Sequence, residues 1–367
     1  MPTGPRVTLL TLAQDLGISR ATVSNAYNRP DQLSAGLRQR ILARAAELGF
    51  SGPDPIARGL RRGRVGAIGV LVDGNLSYAF SDPVAVLLLD GLAREVEGDG
   101  FGLLLHAGSA RADPGLVASA AVDGWVVQSL PEGHAAVEAA RGQNRPMVVL
   151  DQPSLPGTPL VAVDDEGGAA AAAQHLLDLG HRRLAVLAMP LRRDGTRGPA
   201  DAARQLGSDY PVMRRRLQGA LAAVQRAGLD PAQVPVMECA ANDLEASAAA
   251  TTQLLAATTP VLAARRPTGL LALSDQLALG ALRAARAAGV AVPRELSVVG
   301  FDDAPPARHA EPPLTTVAQP LLERGSAAGA LLRGLLRGDV VASPAPFPVR
   351  LVVRASTGPP PEVLMRG

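Results

Sequence analysis

Val7–Leu60 reads VTLLTLAQDLGISRATVSNAYNRPDQLSAGLRQRILARAAELGFSGPDPIARGL, and its pattern decides the first domain. Thr8 stands where a helix N-cap belongs, and Leu9, Leu12, Ala13 and Leu16 recur at helical spacing, so a first helix runs to about Leu16. Gly17 turns the chain at no steric cost, and Ser19 caps a second helix over RATVSNAYN. A small residue where two helices touch (Ala13), a turn (Gly17) and an inward β-branched residue (Val23) are the parts of a helix-turn-helix. Ser34 opens a third helix whose Leu37, Ile41, Leu42, Ala45 and Leu48 form one apolar stripe, and Gly49 ends it. The outer face of the second helix carries Arg20, Ala21 and Asn25.

Charge separates this piece from the rest. Residues 1–64 hold ten Arg and four acidic residues, a surplus of six positive charges, whereas the remainder is net negative by four. A basic tip on an acidic body is what phosphate binding requires. Arg pairs bidentately with guanine, Asn with adenine, and Ala touches a thymine methyl, each good bidentate pair being worth about 1–3 kcal/mol of discrimination. Thr8, Thr22, Ser24 and Asn28 suit phosphate contacts, which position without specifying. Gly52 to Arg64 is rich in Gly, Pro and Arg and reads as a linker that folds on DNA. Pro55 suits the first turn of a short helix, with Ile56 and Leu60 on one apolar side. Leu60 packing on the body is the alternative.

The ordered run Thr8-Leu9, Leu12-Ala13, Gly17-Ile18-Ser19, Thr22-Val23-Ser24, Asn28-Arg29-Pro30, Ser34, Arg38, Glu47-Leu48-Gly49-Phe50 and Ala57-Arg58-Gly59-Leu60 resembles the headpiece of the LacI/GalR family of bacterial transcription regulators. The resemblance implies that Arg20, Ala21 and Asn25 enter the major groove of an operator, and that Ala57 and Leu60 belong to a hinge whose leucine wedges into the minor groove. Asp54 stands where the family usually has Asn, and one extra residue separates Phe50 from Pro53.

Behind the headpiece, 367 residues leave room for one or two α/β domains with sizeable cores. From Val65, short apolar runs alternate with amphipathic stretches: VGAIGVLV, FGLLLHA, VDGWVVQ and MVVLD, then, after PLVAVDD, RLAVLA, VPVMECA, GLLALSD and LSVVGFDD. That alternation argues for parallel strands with crossover helices, in a unit used twice. A helix over Leu321–Leu336 and a strand in PFPVRLVVR follow, so the chain crosses between lobes more than once. SDQLALGALRAARAAGVAVPRELSVVGFDDAP and PPLTTVAQP extend the family resemblance to about Thr357. The expected fold is an all-α helix-turn-helix headpiece plus an α/β two-lobed periplasmic-binding-protein-like effector domain. Its expected division is 1–52 headpiece, 53–64 hinge, 65–357 effector-binding and dimerisation domain, and 358–367 tail. Lobe 1 takes about 65–161 and 319–340, and lobe 2 about 164–316 and 347–357.

Ligands of open parallel sheets sit outside the carboxyl ends of the strands. The residues that end strands here are Asp73, Gln128, Asp151, Asp164, Ser274-Asp275 and Asp302-Asp303. Singly, each Asp reads better as a helix cap or turn residue; their repeated placement argues for a pocket. By resemblance, Asp151, Arg216, Ser274 and Asp302 match effector-pocket positions, with Arg216 able to fork onto two hydroxyls or a carboxylate; the alternative is that the run Arg214-Arg215-Arg216 is a solvated charged face. Ser274 stands where many sugar-binding members have Asn, and Leu321 where an aromatic often occurs. Tyr78 and Phe80, in the loop LSYAFSDP after the first strand, are then the best remaining platforms, with ordinary packing of that loop as the alternative, while Trp125 alternates as core.

These residues exclude several chemistries. The absence of Lys removes Walker-A, Schiff-base and Ser-x-x-Lys sites, and the lone Cys239 removes an intramolecular disulfide and a Cys-rich zinc site. The glycines of Gly98-Asp99-Gly100-Phe101-Gly102 precede a strand instead of following one, which argues against a dinucleotide site. His106, His134, His175, His181 and His309 fall in no nucleophile or metal motif and read as surface or capping residues. No cofactor or metal is expected. The sequence shows neither a secretion leader nor an apolar run of spanning length, so a soluble cytoplasmic protein without membrane contact is expected. The expected function is an operator-binding repressor, acting as a homodimer on double-stranded DNA. A sugar, nucleoside or related metabolite held between the lobes would control its operator affinity. A small-molecule binding protein without a DNA role is the alternative, and an α/β enzyme the third reading.

Overall fold

The computed structural model describes residues 7–50, 52, 64–109, 112–256 and 266–361. The chain divides at Gly66 into two compact units. The first holds three helices, α1 (Leu9–Leu16), α2 (Arg20–Asn28) and α3 (Ala35–Glu47), with a 3-10 turn Pro30–Gln32 between the last two. Each start is capped as its sequence dictates: Thr8 accepts from Thr11 N in a reciprocal capping box, Ser19 from Thr22 N and Ser34 from Leu37 N. Gly17, at φ 65°, makes the turn that joins α1 to α2. Leu9, Leu12, Ala13, Val23, Ala26, Ile41 and Ala45 form the shared core, and Tyr27 meets Phe50 edge to face at 6.0 Å. The Arg44 fork spans both oxygens of Asp15 at 2.6 and 2.9 Å and pins α3 to α1.

The second unit contains two sheets. The first is wholly parallel, in the order β2-β1-β3-β4-β5, from β1 (Ala67–Asp73), β2 (Gly102–Gly108), β3 (Gly124–Gln128), β4 (Met147–Leu150) and β5 (Leu160–Val161). The second runs β12-β11-β10-β9-β6-β8-β7, from β6 (Leu184–Ala188), β7 (Gly198–Pro199), β8 (Val236–Glu238), β9 (Gly269–Ala272), β10 (Ser297–Asp302), β11 (Thr315–Ala318) and β12 (Arg350–Val352). Only its two edges, β7 and β12, are antiparallel. Central strands are apolar without interruption because helices cover both faces, as the fully buried pattern of GWVVQ illustrates.

The chain passes between the lobes three times: from β5 into the helix Asp165–Asp178, from β11 into the helix Leu321–Arg337, and from that helix back to β12. Leu321–Arg337 packs on Pro83–Val96 in lobe 1. Their backbones touch because Gly91 faces the Leu322 carbonyl and Gly325 the Leu88 carbonyl, and neither site has room for a Cβ.

Three local readings are corrected. In PFPVRLVVR the strand is confined to Arg350–Val352, since Pro346 and Pro348 have no N–H to donate, although Phe347 makes a single bridge to Val163. LSYAFSDP forms a short helix, Leu76–Ser81. His181 is neither at the surface nor a cap: it is fully buried, with Nδ1 3.0 Å from Thr268 Oγ1 and Nε2 2.9 Å from the Gly358 carbonyl. Burial lowers its pKa and keeps the ring neutral. His134 does cap, its Nδ1 accepting from Ala136 N at 3.1 Å.

Candidate functional site

The carboxyl ends of both sheets open onto one cavity of about 580 Å³, walled by both lobes. Asp73 ends β1, Gln128 ends β3, Asp151 follows β4, Ser274 follows β9, Asp302 ends β10 and Gln319 follows β11. Ser129, Asp151, Asp302 and Asp303 all hold positive φ, which bends these strand ends around the opening. Of the other strand-end residues, Asp164 caps Asp165–Asp178 by accepting from Gly167 N at 2.8 Å. Asp275 lies behind the wall and accepts from Thr316 Oγ1 at 2.5 Å and Ala304 N at 2.8 Å. Asp303 accepts from Arg354 at 2.6 Å.

A polar chain runs along the floor from one lobe to the other. Ser129 Oγ donates to Asp151 at 3.0 Å, and Arg324, itself 1 % exposed, bonds Asp151 through Nη2. Arg324 Nη1 donates to Gln319 Oε1 at 2.5 Å, and Gln319 Nε2 donates to Asp302 Oδ1 at 2.6 Å. Asp302 in turn lies 3.8 Å from Arg216. Gln319 and Arg324 belong to the second crossing, so this chain follows the backbone that joins the lobes.

Arg216 lines the cavity as expected, but its fork is not free. Nε donates to Asp165 at 2.9 Å, Nη1 to the Leu273 carbonyl at 2.6 Å, and the guanidinium stacks 3.7 Å above the Phe301 ring. The run Arg214-Arg215-Arg216 therefore does not form one solvated face: Arg216 is only 5 % exposed, because helix Pro211–Arg226 turns it towards the core. Phe80 is a second correction: it is 69 % exposed and does not line the cavity, because the short helix turns it outward. Tyr78, two residues earlier, does line it, and its hydroxyl accepts from Asn242 Nδ2 at 2.8 Å across the lobes. Asn242 also accepts from Ser274 Oγ at 2.5 Å. Gln152 Oε1 accepts from Val212 N at 2.9 Å as another inter-lobe bond.

Burial sets the charge state here. It pushes the Asp73 carboxyl up to about 6, against the Gly74 N–H and the Arg193 charge, which pull it down. Asp82 and Asp302 are also raised by burial, the latter against the pull of Arg216. Gln128 Oε1 is buried in the wall without a hydrogen-bond partner among the described residues. Asn242, Gln319, Arg324 and the segment 190–210 were not singled out from sequence. Arg324 carried one visible signal, as a charged residue on the face that Leu321 and Ala328 bury.

In the first unit, Arg20 and Ala21 are exposed and Asn25 is half-buried, all towards one side of α2, while Val23 and Ala26 point into the core. Asn25 Nδ2 donates to Gln32 Oε1 at 3.2 Å. Thr22 Oγ1 lies 2.8 Å from Ser19 Oγ, and Asn28 Nδ2 donates to the Ser24 carbonyl at 3.1 Å. Thr8 is the exposed cap of α1. Ala57 and Leu60 lie outside the described residues. Among the described residues, no group of three or more His, Cys, Asp or Glu is placed to hold a metal ion, and no helix is long and apolar enough to cross a membrane.

A helix-turn-helix unit joined to a two-lobed body with its cavity at the strand ends defines a class: DNA-binding regulators with a periplasmic-binding-protein-like body. Residues 173–357 match the family model described as a periplasmic binding protein-like domain. The chain is 40 % identical over 339 residues to the HTH-type transcriptional regulator IpsA of Corynebacterium glutamicum, covering 91 % of this chain and 92 % of that one. Among solved structures it is similar to the lac repressor dimer bound to operator and the anti-inducer ONPF, with TM-score 0.73, 26 % identity, and 96 % and 99 % of the two chains covered. It is also similar to the CelR–cellobiose complex, with TM-score 0.67, 28 % identity, and 96 % and 100 % covered. The chain belongs to the LacI/GalR family of HTH-type transcriptional regulators.

Proposed function

We propose that this regulator is a homodimeric repressor whose affinity for a pseudo-palindromic operator is set by a small molecule held between its two lobes. The observation that carries this reading is the cavity walled by both lobes and crossed by the Asp151–Arg324–Gln319–Asp302 chain. A molecule bound there touches both lobes and favours the lobe arrangement it fits better; only that difference in affinity can move the equilibrium. Asp151, Arg216, Ser274, Asp302 and Tyr78 are the proposed effector residues, with Arg216 acting from a pre-set position. A sugar, nucleoside or related metabolite suits these donors and acceptors, and the cellobiose bound by the similar CelR structure supports a sugar-like ligand.

Arg20, Ala21 and Asn25 are proposed to read bases, and Thr8, Thr22, Ser24 and Asn28 to hold phosphates, with 53–64 as hinge and Ala57 and Leu60 within it. The experiment is a mobility-shift selection with genomic fragments, with and without candidate metabolites. Selective, salt-dependent retention that a metabolite alters is expected. Retention without selectivity overturns the operator reading, and selectivity that no metabolite changes overturns the effector reading.

A further inference from the structure

Between β6 and helix Pro211–Arg226 the chain inserts a segment, residues 190–210, that builds one wall of the cavity with Arg192, Arg193 and Thr196. Its own fastenings keep it in place. Arg204 grips both oxygens of Asp194 at 2.9 Å, and bonds Glu238 through Nε and, at 2.9 Å, Nη2. Glu238, 1 % exposed, also accepts from Leu191 N at 2.7 Å. Strand β7 within the segment pairs with β8, which carries Glu238. Arg192 Nε donates to the Gly207 carbonyl at 2.9 Å, and Glu132 N of lobe 1 donates to the Asp209 carbonyl at 3.0 Å. A charged segment braced this thoroughly presents its remaining side chains in fixed directions.

One of them has no partner. Among the described residues, the Arg193 guanidinium makes no hydrogen bond and no ion pair, although its charge acts on Asp73 and on the His134 imidazole of lobe 1. Asp73 accepts only from its neighbour Gly74 N, at 2.9 Å. Asp73 and Arg193 thus line the same cavity from different lobes and make no hydrogen bond or ion pair with one another. Of the cavity's other cations, Arg216 is paired with Asp165 and Arg324 with Asp151, and Arg192 donates Nε to the Gly207 carbonyl, while Asp73, Asp82, Asp151 and Asp302 supply carboxyl groups.

We propose that segment 190–210 is a specificity wall of the effector site, and that Arg193 and Asp73 hold one hydroxyl of an uncharged, polyhydroxylated effector between the lobes. The hydroxyl donates its proton to Asp73 and accepts from Arg193, a role that neither a carboxylate nor a phosphate fills, since both lack that proton towards Asp73 at neutral pH. Each anionic group would also meet the cavity carboxyls, with only Arg192 and Arg193 of the lining cations outside an ion pair among the described residues. The inference rests on the reading of the cleft as the effector site.

The test is ligand binding by the full chain, followed as thermal stabilisation and titration. The probes are a panel of free pentoses, hexoses, disaccharides and alditols, set beside sugar phosphates and uronic acids. A neutral member is expected to bind. Arg193→Gln and Asp73→Asn are each expected to weaken it roughly 10- to 100-fold, with the double variant no worse than the weaker single one. A neutral ligand bound equally by wild type and both variants, or additive losses, overturns the pairing while leaving the effector site standing. Binding of anionic members alone overturns the ligand class. No stabilisation by either panel overturns this inference, while the mobility-shift selection with nucleosides and other metabolites decides the effector reading separately. Arg193 is exposed and Asp73→Asn is isosteric, so unliganded melting temperatures reveal whether either loss is merely one of folding.

Discussion

The Tyr78 hydroxyl accepts a hydrogen bond from the Asn242 carboxamide at 2.8 Å, and the two residues stand on opposite lobes. Asn242 is held in turn by Ser274 Oγ, so the bond ties the strand end after β9 to the short helix after β1. Tyr78→Phe removes this contact and keeps the ring. We expect it to weaken effector binding about fivefold, corresponding to about 1 kcal/mol for one net hydrogen bond. Calorimetric titration checks this, and unchanged affinity would mean the contact contributes equally with and without ligand.

Arg216 is part of the frame as well as of the cavity wall. Arg216→Ala strips Asp165 of one of its two arginine partners and uncovers Phe301, so we expect a stability loss of about 2–4 kcal/mol together with loss of the effector response. Denaturant titration and the ligand-induced thermal shift read the two effects separately. A stable, fully responsive variant would remove Arg216 from both roles.

The raised Asp73 carboxyl makes a signed prediction. Folding lifts its pKa from the ordinary carboxylate value to about 6, so the unfolded chain releases this proton first. The group therefore costs nothing below about pH 4, erodes stability as pH rises towards 6, and imposes a constant penalty above that. Asp73→Asn cannot ionise. Its stability relative to wild type should increase between pH 4 and 6 and then level off, as chemical denaturation along a pH series can follow.

For DNA, Arg20→Ala or Asn25→Ala should flatten base preference at one position of each half-site, by about 1–3 kcal/mol, and leave the ligand-induced thermal shift intact. Selection from randomised duplexes measures the preference. Equal loss of both properties would indicate misfolding.

Gly219 packs against the Glu166 carbonyl with no room for a Cβ, where helix Pro211–Arg226 meets Asp165–Asp178. Gly219→Ala should cost about 1–3 kcal/mol or more, read by denaturant melting.

The elements that repeat a period were legible. Capping Ser and Thr ahead of 3.6-period stripes placed α1 to α3, and apolar runs ending in Asp or Gln placed the strands whose tips line the cavity, because burial on two faces forces such runs. What the sequence concealed depends on contacts distant in the chain. Residues 190–210 carry no period, and their shape comes from Arg204 reaching Glu238. Phe80 and Tyr78 are indistinguishable as letters, and only the pitch of one short helix sends one outward and the other inward. That the Arg216 fork is occupied follows from Asp165, 51 residues away, and no local pattern announces it. Gln319 and Arg324 went unread for the same reason: their partners are Asp302 and Asp151.

Three passes of backbone join the two halves of the body, one from β5, one from β11 and one back to β12. A body tethered once could tumble and one tethered twice could twist, but a third tether leaves little except a swing, as of a door on its axle. The second tether is the one lined by Gln319 and Arg324, so in the proposed function a guest in the cavity would press on the axle itself, and a molecule of modest size would swing a whole half.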